Sequence, residues 1–193
     1  MLRSRVVVVT VAAGIAAAAV VLHSGRTLTA QEQAGVIPEA NDRLEVAIGF
    51  RIAPVPLKFP PSARVQVGLG SYIVNGQGAC NDCHTNPPFA PGGDPFAGEP
   101  TQINADHYLA GGVLFGPVVS RNLTPRSNGR PAGLTFTQFR TVMRTGVDVK
   151  FAHPTLSPLL QVMPWPVYRY MRDGDLAAIY AYLSAIPPAT PGP

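Results

Sequence analysis

Cys80-Asn81-Asp82-Cys83-His84 holds both cysteines of the 193-residue chain, and its reading decides the fold. C-x-x-C-H is the spacing of c-type haem attachment. Two thiols one helical turn apart add across the two vinyl groups of a haem, and the adjacent imidazole gives iron its proximal nitrogen. Three other readings compete. A Cys80–Cys83 disulfide would close a loop so short that it gains little entropy. A thioredoxin-like redox pair wants a βαβ setting, and convincing strands are absent. A zinc site wants four ligands; Cys80, Cys83 and His84 supply three, and the fourth must come from far away.

The flanks suit one covalently attached haem c. A helix is predicted over Ser62 to Asn75, where Val65, Leu69 and Tyr72/Ile73 recur at helical spacing and Gly76 and Gly78 stop it. Gly68 and Gly70 inside it lower helix propensity by roughly 1 kcal/mol each, which points to another backbone close by. Residues 85–133 are rich in Gly and Pro, a length of irregular chain that suits a loop wrapped around something. A second helix is predicted over Phe136 to Thr145, with Thr135 and Gln138 as a capping box and Gly146 as the stop. The last is predicted over Asp175 to Ala185, capped by Asp173, with Leu176, Ile179 and Leu183 as its apolar stripe. Ala178 and Ala181 leave room for Gly68 and Gly70 to cross it.

A sixth iron ligand after His84 is open to His107, His153, Met143, Met163 and Met171. Met143 falls on the apolar face of the second helix, and Met171 close to the start of the last; core packing suits both. Met163 stands in the Pro-bounded stretch Leu159 to Pro166, where a rigid loop aims a thioether without serving a helix ladder. Met163 is therefore the expected sixth ligand. The proximal His84 should donate its second nitrogen to a backbone carbonyl, with Pro87 to Pro91 as plausible acceptors. Arg121, Arg140, Arg144, Trp165, Tyr168 and Tyr170 are candidate partners for haem propionates.

Composition bounds the rest. Charged residues are only 13 % of the chain and hydrophobic ones 46 %, which excludes a charged disordered protein and a long coiled coil. The net charge of +4 owes three Arg to residues 1–30, and no basic run interleaved with aromatics remains, so nucleic acid is not an expected partner. Arg3 and Arg5 precede an apolar run over residues 6–22. Residues 1–30 thus read as a signal peptide or an uncleaved membrane anchor, and the rest as exported to the periplasm. Residues 31–61 read as a Pro-containing extension with a short helix over Asn41 to Phe50 and extended chain from Ile52 to Pro61; residues 62–188 form the domain, and 189–193 a tail.

The chain resembles class I c-type cytochromes, and more narrowly the cytochrome c domains of membrane-bound alcohol and sugar dehydrogenase complexes. The likeness runs through Gly70-Ser71-Tyr72, Cys80 to Thr85, Asn122-Leu123-Thr124-Pro125, the helix Phe136 to Gly146, Met163-Pro164-Trp165 and Asp175 to Leu183. It departs from that pattern at Arg126, where an acidic residue is common, and at Ser127 to Gly133. The resemblance implies an all-α cytochrome c fold of three to five helices with long Gly/Pro-rich loops around one haem. It implies a non-catalytic carrier of single electrons between a redox protein donor, such as a dehydrogenase subunit, and a downstream acceptor. The alternative is a haem enzyme or sensor with an exchangeable sixth ligand.

Overall fold

The structure is a computed structural model, described over residues 42–149 and 157–193. The described chain is all-α, with six helices and one minimal hairpin. Helix α1 covers residues 42–52, α2 Arg64–Tyr72, α3 Cys80–His84, α4 Phe136–Thr145, α5 Trp165–Tyr168 and α6 Asp173–Ala185. Strands β1 (Leu114–Phe115) and β2 (Val118–Val119) form the hairpin. The count exceeds the expected three to five because α3 and α5 are single turns that carry no periodic signal.

Helix α2 is the predicted first helix in three parts. A 3₁₀ turn at Pro61–Ala63 enters it, and a π turn at Ile73–Gln77 leaves it. Its largest contact is with α6. Gly70 makes the crossing possible: a Cβ there would sit 2.0 Å from the carbonyl oxygen of Ala178. Gly68 serves a different neighbour from the one expected. A Cβ on it would meet Val46 and Phe50 of α1, and Gly49 of α1 in turn lies against the Gly68 carbonyl. The two glycines of α2 therefore seat two helices, one on each side. Ser71 Oγ donates to the Gly49 carbonyl at 2.7 Å and closes the α1 contact.

Residues 42–61 thus pack on the core. Val55 is buried, and the Lys58 N–H donates to the Ala185 carbonyl at 2.8 Å. The chain after α6 is held too. Asn122 Nδ2 donates to the Ala189 carbonyl (2.7 Å), and the Thr190 carbonyl pairs with His107 Nδ1 (2.9 Å).

Helix α4 starts and stops as its sequence predicts. Thr135 and Gln138 cap each other's backbone, and Gly146 ends it at φ +70°. Helix α6 begins two residues early. Arg172 is its N-cap residue and Asp173 its first residue, because Asp175 accepts both the Arg172 backbone N–H and its guanidinium. The core between α2, α4 and α6 buries Val67, Val74, Met143, Leu176, Ile179 and Leu183. Behind it lies a polar knot. Tyr108 donates to Asn75 Oδ1, Asn75 Nδ2 donates to the Tyr182 hydroxyl (3.1 Å), and the two hydroxyls meet at 2.9 Å. Since the Tyr108 proton goes to Asn75, the Tyr182 proton completes the ring.

Candidate functional site

One apolar cavity of about 300 Å³ opens beside this core. That is the lower end of the range for small-molecule and cofactor sites. Helix α3 forms one wall. Ala79, at φ +48°, turns the chain sharply out of the π turn, so that α3 starts at Cys80. Cys80 and Cys83, three apart on one helix, face the same way. Both thiols and His84 line the cavity. The two sulfurs are not joined to each other. Burial, and then Cys83 beside it, pushes the Cys80 thiol up to about 12. Burial raises Cys83 as well, so both stay as protonated thiols near neutral pH.

The second wall is the strap from Gly111 to Leu134, folded back by the β1–β2 hairpin. The Gly111 N–H donates to the His84 carbonyl at 2.6 Å, and Gly112 and Ser120 pair across the hairpin. That register delivers the Arg121 carbonyl to His84 Nδ1 at 2.7 Å. The acceptor is thus 37 residues away, and not within Pro87 to Pro91. Holding Nδ1–H on a carbonyl leaves Nε2 as the nitrogen with a free lone pair. Burial pushes the imidazole below its ordinary value despite that bond, which keeps it neutral, as a metal ligand must be.

The strap is pinned from behind. Asn122 Oδ1 accepts from the Thr124 N–H and hydroxyl (2.8 and 2.7 Å), and Thr85 Oγ1 accepts from the Leu109 N–H (2.9 Å). Of the loop from Pro87 to Pro117, expected to cover one side of the cavity, Phe115 lines it and residues 87–104 do not.

The third wall is the loop after residue 157. Leu160 to Pro164 line the cavity, Met163 among them. The loop is fastened to the end of α4: Leu160 N–H donates to the Gly146 carbonyl (2.8 Å), and Val147 pairs with Leu159. The Trp165 ring covers Gly146 so closely that a Cβ there would fall 2.3 Å from it. Trp165 Nε1 donates to the Leu160 carbonyl (3.2 Å), and Tyr168 reaches across to the Gly78 carbonyl (2.7 Å).

Among the candidate sixth ligands, Met143, Met163 and Met171 line the cavity, and His107 does not. His153 lies outside the described residues, as does the apolar run over 6–22. Met143 is buried in α4, while Met163 and Met171 both lie outside the helices and pack on the core, Met163 in the loop before α5 and Met171 in the short turn between α5 and α6. Of the propionate candidates, Arg121 and Tyr168 reach the cavity. Arg140 and Arg144 instead pair with Asp173, and Tyr170 is exposed.

Sequence reasoning missed Asp148. It is buried in the cavity wall, and its Oδ1 takes the Arg121 guanidinium at 2.5 Å. Nothing in the local sequence signals the pair.

The donor set suits haem: two thiols a turn apart, a tautomer-fixed imidazole beside them and thioethers in one apolar chamber. Among the described residues no group of three or more Cys, His, Asp or Glu is placed to hold a metal ion.

No family model matches the chain. It is 31 % identical over 166 residues to a nicotinate dehydrogenase subunit from Pseudomonas putida, covering 80 % of this chain and 12 % of that one. It is 31 % identical over 116 residues to the gluconate 2-dehydrogenase cytochrome c subunit of Pantoea cypripedii, covering 60 % of this chain. The fructose dehydrogenase cytochrome subunit of Gluconobacter japonicus matches at 28 % over 125 residues, 64 % of this chain. The chain is similar to cytochrome subunits of dehydrogenases. Its match spans 22 % of each of those two cytochrome subunits, so less than a quarter of their length. The helical architecture and the chamber beside C-x-x-C-H agree with a cytochrome c-like fold.

Proposed function

We propose that this chain is a monohaem c-type cytochrome that relays single electrons from a dehydrogenase partner to a downstream acceptor. Cys80 and Cys83 would carry the haem as thioethers, with His84 and Met163 as axial ligands. The observation that carries this reading is the convergence of all four residues on one apolar cavity, from two segments about 80 positions apart. Haem supplies reversible exchange of one electron between Fe(II) and Fe(III).

The chain's own residues make that exchange inexpensive. The Arg121 carbonyl holds the proximal imidazole in one tautomer. Met163, on a loop fastened at Gly146 and Trp165, offers a thioether that favours the reduced state relative to a second imidazole. The apolar walls exclude water and keep reorganisation small. Met163, held on its loop as the second ligand, would leave oxygen or peroxide no open position, which separates a carrier from a haem enzyme. The Arg-flanked apolar run over 6–22 supports export, with the domain on the outer side of the cytoplasmic membrane, either released or tethered. Among the described residues no helix is long and apolar enough to cross a membrane.

Spectroelectrochemistry on protein made in a host that matures c-type cytochromes tests the reading. A single reversible one-electron couple, a sulfur–iron charge-transfer band in the oxidised form and indifference to moderate CO are expected. Met163→Ala should abolish the band and lower the potential. An unchanged band in that variant rules out Met163. Ready CO binding by the unaltered protein rules out the carrier reading.

A further inference from the structure

We infer that the Arg121–Asp148 ion pair is a clasp that holds the Met163 loop against the strap supporting His84, and so limits exchange at the sixth position. The exchange part rests on the reading of Met163 as sixth ligand; the clasp itself rests on geometry alone.

Arg121 is used at both ends. Its carbonyl accepts from His84 Nδ1 (2.7 Å), and its guanidinium meets Asp148 Oδ1 at 2.5 Å. Asp148 in turn belongs to the base of the Met163 loop. Its N–H donates to the Pro158 carbonyl (3.0 Å), Val147 pairs with Leu159, and Leu160 donates back to Gly146. From Pro158 the chain runs five residues to Met163. One side-chain contact therefore ties the support of the proximal residue to the ladder that carries Met163.

The burial of this pair sets it apart from the other described ion pairs. The Arg121 and Asp148 side chains are 18 % and 6 % exposed, whereas each other described pair has a partner at least 63 % exposed. Exposed pairs contribute little, because water and salt screen them. A buried pair stabilises little by itself, but removing one partner leaves the other charge in an apolar wall with its opposite charge gone. The cheapest relief is for the segment carrying that charge to move out toward water. When Arg121 is removed that segment is the ladder at 146–149 and 158–160, and when Asp148 is removed it is the strap at Arg121; either way the ladder loses its tie to the strap. The pair thus determines position rather than adding net stability.

Arg121→Gln, Asp148→Asn, the double variant and Arg121→Lys, all in full-length haem-loaded protein, test the clasp with two readouts. Amide hydrogen exchange over 158–163 should quicken about tenfold in either single variant, while amides of α2 and α6 keep their rates. Imidazole should displace the sixth ligand about tenfold more readily in both. The double variant should be no worse than the worse single one, since the pair acts as a unit. Arg121→Lys, which keeps the charge, should stay close to the unaltered protein. Unchanged exchange over 158–163 in both single variants, additive losses in the double, or Arg121→Lys behaving like Arg121→Gln would overturn the proposal. If the unaltered protein shows no sulfur–iron band, the Met163 assignment fails, and hydrogen exchange decides the clasp without it.

Discussion

Between His84 and α4 the chain makes two Gly/Pro-rich loops that look alike in composition and differ in use. The loop over 87–104 folds on itself: Ala90 N–H donates to Gln102, Gln102 N–H to Gly93, and Asn104 N–H to Pro88. Its tip exposes Phe96, and its glycines Gly92 and Gly98 have nothing near the place of a Cβ. The strap over 111–134 folds on the rest of the protein. A Cβ on Gly111 would lie 2.5 Å from the Ser120 carbonyl oxygen, and the Gly111 N–H is spent on His84. Composition marks both as irregular. Only the destinations of the backbone hydrogen bonds separate a self-contained excursion from a cavity wall.

The sharpest way to break that comparison is to add one methyl to each loop. Gly111→Ala should cost about 3 kcal/mol or more, from strain at φ +76° plus overlap with backbone that cannot yield. Gly92→Ala, with a similar φ but open space, should cost only about 1 kcal/mol. Urea unfolding of the two variants reads the difference directly, and equal losses would mean that the strap is no more constrained than the excursion.

Next in size are the side-chain ties. Asn122→Ala removes the turn to Thr124 and the bond to the Ala189 carbonyl, and should cost about 1–2 kcal/mol. Asn104→Ala removes an exposed bond to the Pro87 carbonyl and should cost below about 0.5 kcal/mol. The smallest effect belongs to Phe96→Ser, within about 0.5 kcal/mol of zero and without change in the visible spectrum. A shifted spectrum would show that the excursion touches the haem chamber after all.

Much of the frame was legible in the sequence. The capping box of α4 and its stop at Gly146 follow from Thr135, Gln138 and one residue able to take positive φ. Gly70 opposite Ala178 is a small-residue crossing that the sequence shows as paired gaps in side-chain size. Gly68 carried the same signal but not its address, because α1 begins in chain that reads only weakly as helix. The site divides the same way. Cys80, Cys83 and His84 are neighbours in sequence, so their common face follows from helical geometry. The Arg121 carbonyl and the Asp148 carboxylate reach the site through hairpin register and loop closure. Neither leaves a periodic trace, and a backbone carbonyl has no residue type to betray it. Asn122-x-Thr124, next to Arg121, was the nearest available sign of a rigid turn there.

The central claim, one haem bound through both cysteines, is tested most directly by intact-mass measurement on the denatured chain from a host that matures c-type cytochromes. The expected result is the chain mass plus one haem, with a pyridine haemochrome spectrum of saturated vinyls, and failure to accumulate holoprotein in Cys80→Ser and Cys83→Ser. A chain of unaltered mass, from cells that load a control cytochrome, would contradict it.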